Sequence, residues 1–202
     1  MYLRNEPRLN LQLNRKLCQE EEYLDFYQKG EIISLKNSGF YQVYRGVVQL
    51  NRLNHREQEV VIGWVTPNHA FGNLINGDSG YYAIALTDVY LRSYKPVEVV
   101  RNSQLSRQLL SELSYRLVKS EQMIDIISRK KVEERLLGLL SMLKEEMGHP
   151  VNEGIRLTAR FTHQSIANTL CTTRVTITRI FGDLEERNLL EFDKNRHLII
   201  KF

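Results

Sequence analysis

The sequence is poor in cysteine and has no long apolar run. A membrane-spanning helix needs about 20 consecutive apolar residues, and Val60–Val65 is typical of the longest apolar stretches here. Met1–Glu22 is polar and charged, so we expect no secretory signal peptide. The two cysteines, Cys18 and Cys171, cannot build a disulfide framework or a cysteine-rich zinc site. These absences predict a protein of a reducing, cytoplasmic compartment with no membrane partner.

The sequence also lacks the usual signatures of catalysis and metal binding. It has no His-x-His pair, and His55 and His69 are far apart, whereas a metal site needs clustered histidine and carboxylate ligands. It contains no P-loop, no nucleophile elbow and no His-Glu-x-x-His motif. We therefore expect neither an enzyme nor a bound metal. A small-molecule-binding or metal-dependent cupin-like protein is the alternative from a different class.

The composition is that of a globular protein. The chain has 202 residues, of which 42% are hydrophobic and 26% charged, and this excludes a disordered or fibrous protein. Its formal net charge is only +4, but the basic residues are unevenly placed. Between Arg156 and Gly182 there are four arginines and no acidic residue, as a surface that faces phosphates requires. A solvated basic face would have the same composition.

Residues 25–100 have the pattern of β structure. Short stretches rich in Val, Ile and Tyr are separated by turn residues at intervals of roughly 8–15 residues, as in a β-sandwich or barrel. Helical periodicity is absent from this part of the sequence. The predicted strands are Glu31–Leu35, Phe40–Tyr44, Val47–Leu53, Val60–Val65, Tyr81–Leu86 and Val89–Tyr94.

Residues 101–128 predict one long helix without internal Pro or Gly. Apolar positions spaced alternately three and four residues apart form the seam of a two-stranded coiled coil. A helix packed on its own sheet also carries an apolar stripe, and Leu105, Leu109 and Val118 lie off the seam where they can pack in this way. We expect a parallel homodimer with a seam of Leu110, Leu113, Leu117, Ser120, Ile124 and Ile127.

Residues 129–202 begin with another amphipathic helix and continue with shorter elements. The helix starts near Val132, and the Gly and Pro of Gly148–Pro150 predict its end. The later elements predicted from the sequence are a strand at Ile155–Thr158, three short helices, and a terminal hairpin of Leu190–Phe192 and His197–Phe202.

Two of the short helices form a helix-turn-helix pattern between Phe161 and Leu184. Thr162 is a candidate N-cap of the first helix, and Thr172 or Thr173 of the second. A second helix placed in this way presents its N-terminal side chains to the major groove of DNA. Its predicted buried residues are Val175, Ile177 or Thr178, Ile180, Phe181 and Leu184. A helical hairpin with a solvated basic face is the alternative interpretation.

The start of the second helix carries side chains suited to reading DNA. Arg174 can form two parallel hydrogen bonds to guanine O6 and N7. Thr173, Thr176 and Arg179 share its exposed side, where threonine hydroxyls can bond to phosphates or bases. The following Glu185–Phe202 would supply the wing of a winged helix-turn-helix.

The order of these parts resembles the CRP/FNR family of transcription regulators. The segments His163–Ala167 and Thr173–Leu184 are similar to the helix-turn-helix of that family, and the Arg-Val-Thr-x-Thr-Arg core of Arg174–Arg179 resembles its global nitrogen regulators, the NtcA group of cyanobacteria. The resemblance implies an α+β fold. Its parts would be a double-stranded β-helix of the cyclic-nucleotide-binding type (a β-roll) in 1–100, a dimerisation helix in 101–128 and a winged helix-turn-helix in 129–202. Red-algal plastids carry shortened relatives, so the plastid stroma is a second expected location.

The resemblance further implies a sequence-specific transcription activator that binds a palindromic promoter site as a homodimer and contacts RNA polymerase. Many family members have Glu where this chain has Val175, and Glu can accept a hydrogen bond from cytosine N4 whereas Val cannot. The half-sites implied by the nitrogen regulators are GTA and TAC, eight base pairs apart. The base-contacting residues implied are Arg174, Val175 and Arg179; phosphate contacts are implied for His163, Gln164 and Thr173, and Thr176 and Thr178 complete the candidate DNA-binding set.

Cyclic AMP is not the effector that the sequence predicts. The pocket of the family carries Gly-Glu-Leu followed by Arg-Ser, whereas this chain has Phe71-Gly72-Asn73-Leu74 at the effector-loop position. No arginine lies between Arg56 and Arg92, and a buried phosphate without a cation is costly. The isolated Cys18 argues equally against an iron–sulfur sensor.

2-Oxoglutarate is the candidate effector that the resemblance implies. Arg116 at a g position and Glu121 at an e position would meet across the dimer, and the nitrogen regulators use such a pair on 2-oxoglutarate. A simple interchain salt bridge is the alternative. The same pocket uses a β-roll arginine, where this chain has Ser79 and Gly80. An effector-independent regulator therefore stays open, with a roll filled by Tyr41, Tyr44, Tyr81 and Tyr82.

Overall fold

The structure is a computed structural model of the chain, and it describes residues 24–33, 35, 39–55, 57–73 and 81–202. In chain order, its elements are β1 Asp25–Tyr27, β2 Ile32–Ile33, β3 Gly39–Arg45, β4 Val48–Leu53, β5 Glu59–Val65, β6 Ala70–Asn73, β7 Tyr81–Ala85, β8 Val89–Tyr94, α1 Pro96–Arg101, α2 Ser103–Ser128, α3 Val132–Met147, β9 Gly148–Val151, β10 Gly154–Leu157, α4 His163–Thr169, α5 Arg174–Glu186, β11 Leu190–Phe192 and β12 Leu198–Ile200.

The first eight strands form a β-roll of two four-stranded antiparallel sheets. Their strand orders are β1-β8-β3-β6 and β2-β7-β4-β5. Alternation along β4 turns Val48 and Leu50 into the core of the roll and leaves Gln49 on the outer face of its sheet. The α+β class and the β-roll that the sequence predicted are thereby confirmed.

Two strands of the roll were not predicted. Strand β1 has only three residues, which is too short for a pattern. Strand β6 contains Phe71, Gly72 and Asn73, which the sequence placed at an effector loop, and it pairs with β3. Gly72 allows this pairing because its φ is +137°, and a Cβ atom there would lie 2.1 Å from the carbonyl oxygen of Gly39.

A break at Asn102 separates two helices where the sequence predicted one that starts at residue 101. Pro96 occupies the first turn of α1, where a missing N–H costs nothing. The backbone of Asn102 is extended, and its side-chain oxygen accepts hydrogen bonds from the backbone N–H groups of Gln104 (3.0 Å) and Leu105 (3.1 Å). An N-cap of this kind starts a new helix, so α2 begins at Ser103.

Helix α2 uses different faces along its length. Leu105 and Leu109 pack against the roll, as the sequence predicted. Val118 does not, since it is 49% exposed. Near its C-terminal end, Met123 and Ile126 join the core of the C-terminal part instead. The two helices α2 and α3 approach closely at Gly138 of α3, where a Cβ atom would lie 3.1 Å from Ile126 Cγ1.

The C-terminal part consists of α3, α4, α5 and a sheet of order β11-β12-β10-β9. Strand β9 was not predicted, because in the sequence its Gly148 and Pro150 indicate only the end of α3. The sequence also predicted a third short helix that the described residues do not contain. Instead α5 continues through Gly182 to Glu186, because Phe181 and Leu184 extend its buried face. None of the described helices is long and apolar enough to span a membrane.

Candidate nucleic-acid interface

Two threonine caps define the helix-turn-helix. Thr162 Oγ1 accepts a hydrogen bond from the backbone N–H of Ser165 at 3.0 Å, which starts α4. Thr173 Oγ1 accepts from the N–H of Thr176 at 3.2 Å, which starts α5. The sequence predicted the first cap and allowed either Thr172 or Thr173 for the second; the structure selects Thr173.

A tight turn at Cys171 brings the two helices together. Cys171 adopts a left-handed φ of +52°, and the N–H of Thr172 donates to the carbonyl oxygen of Ala167 at 3.0 Å. Ala167 is fully buried, so its small side chain lets α4 and α5 pack closely. The thiol side of the turn is exposed.

The outer face of α5 is open to solvent. Arg174, Thr178 and Arg179 are exposed, Thr176 is half-buried, and Thr173 at the cap is exposed. Val175 is 78% exposed, so its predicted burial is wrong, while Ile177, Ile180, Phe181 and Leu184 form the buried face. The residue at the second position of this helix therefore projects outward beside Arg174, where a base edge can meet it.

The two arginines on this face have at most weak ion-pair partners. Arg179 pairs with Asp183 at 3.4 Å, one turn along the helix, but both side chains are more than half exposed. A pair of this kind contributes about 0–1 kcal/mol and is readily exchanged for a phosphate. Arg174 has no ion pair among the described residues, so its guanidinium is available to a ligand.

His163 connects α4 to α5. Its Nδ1 lies 2.9 Å from Thr178 Oγ1, and its ring stacks on Phe181 with centroids 4.8 Å apart. Burial and then the positive charge of Arg174 lower the pKa of His163 below its ordinary 6.5, against a smaller opposing effect of Glu185. The neighbouring Gln164 is exposed and donates to Asn168 Oδ1 at 2.7 Å.

The wing is fixed to this interface from the side. The ring of Phe192 stacks on Phe181 at 5.8 Å and lies 6.2 Å from the ring of His163. Asp193, in the turn of the hairpin, accepts a hydrogen bond of 2.7 Å from Arg156 of β10. Although desolvation opposes it, this bond and the backbone N–H groups of His197 and Asn195 lower the pKa of Asp193 to about 2.

The described candidate effector residues of the roll belong to its core and to its sheet. Phe71 is 1% exposed and stacks on Tyr41 inside the roll, with centroids 5.3 Å apart. Gly72 and Asn73 belong to the β6 backbone ladder, and Leu74 lies outside the described residues. A cavity of about 150 Å³ does lie between the roll and α2, lined by Phe40, Gln42, Asn68, Ala70, Leu105, Gln108, Ser111 and Glu112.

The predicted seam and the pair beside it lie on the outside of the single chain. Arg116 is half-buried and Glu121 exposed, and neither makes an ion pair with a described residue. Ser120 is exposed and Ile127 half-buried. The other four seam residues are between 51% and 68% exposed: Leu110, Leu113, Leu117 and Ile124.

One cluster that joins three parts of the chain was not predicted. His69, in the loop before β6, contacts Glu112 of α2 at 3.0 Å and stacks on the ring of Tyr115 at 4.3 Å. Tyr115 and Lys119 of α2 both bond to Glu146 of α3. The only hint was the spacing of Tyr115 and Lys119, four residues apart on one helix face. The described residues contain no cluster of His, Cys, Asp and Glu fit to hold a metal.

Comparison with known proteins identifies the family. The Crp-like helix-turn-helix domain matches residues 134–201. The chain is 34% identical over 166 residues to a global nitrogen regulator of Synechocystis sp., covering 77% of this chain and 73% of the relative. The chain belongs to the CRP/FNR family of transcription regulators. It is a DNA-binding regulator.

Further CRP/FNR relatives agree with this assignment. A global nitrogen regulator of Nostoc sp. is 33% identical over 171 residues, covering 80% of this chain and 76% of the relative. The solved structure of a CRP-family regulator from Thermus thermophilus superposes with a TM-score of 0.75 at 17% identity, covering 88% of this chain and 92% of that one. At that identity the superposition supports the fold alone.

Proposed function

We propose that this CRP/FNR regulator binds a palindromic promoter site as a homodimer, with one α5 in each half-site. The observation that carries the proposal is the solvent-exposed row of Arg174, Val175, Thr178 and Arg179 on a capped second helix. In a helix-turn-helix dimer, two such helices enter successive major grooves about 34 Å apart. At the promoter, the dimer would contact RNA polymerase as an activator within the cytoplasm or the plastid stroma.

The exposed seam of α2 supports the homodimer. Leu110, Leu117 and Ile124 follow one another at seven-residue intervals and remain largely exposed in the single chain. Large apolar side chains in a continuous stripe on one helix face indicate an interface with another chain. The roll covers a different face of α2 through Leu105 and Leu109, so a second copy can pack on the seam without displacing it.

Each DNA-facing residue has a role that fits its position. Arg174 would read guanine through two hydrogen bonds, and Val175 would pack against a thymine methyl. Arg179, Thr173 and Thr176 would bind phosphates or flanking base edges. His163 and Gln164 lie at the start of α4 and would bind the phosphate backbone of DNA. The side chain of Thr178 is hydrogen-bonded to His163.

A role in nitrogen and carbon regulation follows from the relatives, which are named global nitrogen regulators. Arg116 and Glu121, which make no ion pair with a described residue, would then be the dimer's contribution to a 2-oxoglutarate site. Opposing this, no Lys or Arg is found among the described residues that line the cavity between the roll and α2. A dicarboxylate placed there would have no cationic partner from the roll.

An effector-independent regulator is the second candidate, and one observation favours it. Tyr41 and Phe71 stack on each other within the core of the roll, which occupies space with protein side chains. A filled roll would hold α2 in one position. DNA binding would then need no ligand, and Arg116 and Glu121 would form an interchain salt bridge.

A DNA titration tests both candidates. The purified chain would be titrated on a GTA-N8-TAC duplex at fixed salt, alone, with 2-oxoglutarate, and with succinate as a matched dicarboxylate. If 2-oxoglutarate tightens DNA binding and succinate does not, the result supports the candidate with a 2-oxoglutarate effector. Equal DNA binding in all three titrations supports the effector-independent candidate. Binding that does not distinguish this duplex from one with scrambled half-sites contradicts the proposed palindromic site.

A further inference from the structure

The β-roll and the DNA-binding domain meet at an aromatic contact. Trp64 of β5 packs edge to face against Phe161, with ring centroids 5.7 Å apart and planes at 81°. Val47, at the edge of the roll, is 1% exposed and belongs to the core cluster of the DNA-binding domain, and the half-buried Leu86 packs against that cluster too. The two parts therefore share a continuous apolar interface.

This contact bears directly on the position of α4. Phe161 immediately precedes Thr162, the N-cap that starts α4. A residue at this position sets the angle at which the chain enters the helix. Helix α4 in turn fixes α5 through the buried Ile166 and Ala167 and through the His163–Thr178 hydrogen bond. The position of Trp64 is thereby transmitted to the helix that faces DNA.

A second anchor holds the same domain from another side. Tyr115 and Lys119 of α2 bond to Glu146, near the end of α3. Between α2 and α3 the chain has only residues 129–131, and one such linker would permit rotation of the DNA-binding domain. Two contacts away from the linker, at Glu146 and at Phe161, restrict that rotation.

The docked arrangement leaves the recognition surface open. Arg174, Val175 and Thr178 are exposed while Trp64 and Phe161 are in contact. Docking onto the roll therefore does not compete with DNA for this surface. It determines instead the direction in which the surface faces.

We propose that Trp64 and Phe161 are positioning residues for DNA recognition: their contact fixes each α5 relative to α2 and so sets the half-site spacing that the dimer accepts. This inference rests on the homodimer proposed above. It assigns to the outer face of the roll a role in specificity that requires no effector. Loosening the contact is expected to relax the spacing requirement without changing which bases are read.

A spacer series tests the proposal. Wild type, Trp64→Ala and Trp64→Phe would be titrated on duplexes with GTA and TAC separated by six, eight and ten base pairs. We expect wild type to prefer one spacer and Trp64→Ala to bind that duplex about tenfold more weakly, the cost of losing roughly one base contact, with little preference left among the three. Trp64→Phe should restore most of the preference. Ile62→Ala, an exposed apolar position on the same strand, is the matched control.

Fluorescence separates positioning from a loss of folding. Trp64 is the only tryptophan in the chain, so its emission reports the interface directly. In Phe161→Leu the emission should shift to the red and the spacer preference should fall, while thermal unfolding stays cooperative. An unchanged spacer ranking in Trp64→Ala and Phe161→Leu overturns the positioning role.

Sedimentation distinguishes this failure from failure of the proposed homodimer. If wild type sediments as a monomer and binds one half-site as well as two, both proposals are overturned. If wild type is a dimer that reads the palindrome and the variants keep its spacer ranking, only the positioning role is overturned.

Discussion

The hydroxyl of Tyr115 on α2 lies 2.7 Å and 2.6 Å from the two carboxylate oxygens of Glu146 on α3. Lys119 Nζ forms an ion pair with the same carboxylate at 2.5 Å. The ring of His69 stacks on the ring of Tyr115. Burial and the hydrogen bond to Glu146 raise the pKa of Tyr115, so the hydroxyl keeps its proton and acts as the donor. One phenol thereby joins the roll, the long helix and the DNA-binding domain.

The substitution Tyr115→Phe should lower the free energy of unfolding by about 1.5 kcal/mol, the lower end for a hydrogen bond to a charged group. Glu146 keeps Lys119 as a partner, so no carboxylate is left unpaired. Urea denaturation followed by circular dichroism measures the change. Tyr44→Phe removes the same hydroxyl from an exposed position and should leave stability unchanged. Equal stability of Tyr115→Phe and wild type would contradict the prediction.

The substitution Arg174→Ala should weaken binding to the specific duplex by about 1–3 kcal/mol, because a bidentate contact to guanine is lost. Binding to scrambled DNA should change much less. Arg101→Ala removes the same charge from the end of α1 and serves as the control for a general electrostatic effect. Gel shifts at one salt concentration compare the three proteins. Wild-type discrimination in Arg174→Ala would refute the assigned role.

The substitution Leu117→Asp should convert the proposed dimer into a monomer. Leu117 is 61% exposed in the single chain, so the change should not disturb the fold of the protomer but would bury a charge in the seam. Val118→Asp is a close control, because Val118 is 49% exposed on the same helix and lies off the seam. Sedimentation velocity should give a monomer for the first variant and a dimer for the second. A dimeric Leu117→Asp protein would exclude this seam.

Acidification should destabilise the wing through His197. Burial and then the guanidinium of Arg156 lower the pKa of His197 below 6.5, despite the opposing carboxylate of Asp193. The unfolded chain therefore binds this proton more readily, and the free energy of unfolding falls as pH drops from about 6.5 toward the folded pKa. The stabilisation is fully present above that range.

Thermal unfolding of His197→Gln between about pH 7.5 and 5.5 tests the sign of this effect. The variant should show a smaller decrease of Tm on acidification than wild type. The pKa of His163 is lowered as well, so adding His163→Gln should reduce the slope again. Identical slopes for wild type and His197→Gln would show that His197 does not contribute to the pH dependence.

Most of the fold was predictable because its signals are local. The five longer strands of the roll, β3, β4, β5, β7 and β8, carry apolar and aromatic stretches bounded by turns, and both helices of the helix-turn-helix begin at threonine caps. Strands β1 and β6 were missed since three or four residues, one of them Gly72, hold too little pattern. The start of α2 was misplaced because Asn102 ends one helix and caps the next.

The contacts between domains were not predictable for a different reason. Trp64 and Phe161, or His69 and Glu112, are distant in sequence and obey no common period. Val175 was assigned to the buried face from its apolar character, yet the helical spacing of Ile177, Ile180 and Leu184 already turns it outward. Its 78% exposure places it beside Arg174, where an apolar side chain can contact a thymine methyl.

The turn at Cys171 offers a labelling site from which a distance within the proposed dimer can be measured. Its thiol is exposed, three residues ahead of Arg174, in a backbone conformation fixed by the packing of α4 on α5. With Cys18 replaced by serine, a spin label at this position would report the separation of the two helix-turn-helix turns in a dimer. Pulsed electron resonance could then compare free and DNA-bound states, where insertion into successive grooves demands a separation of about 34 Å between recognition helices. The distance between the two labelled Cys171 residues would thus report how far apart the proposed dimer holds its recognition helices.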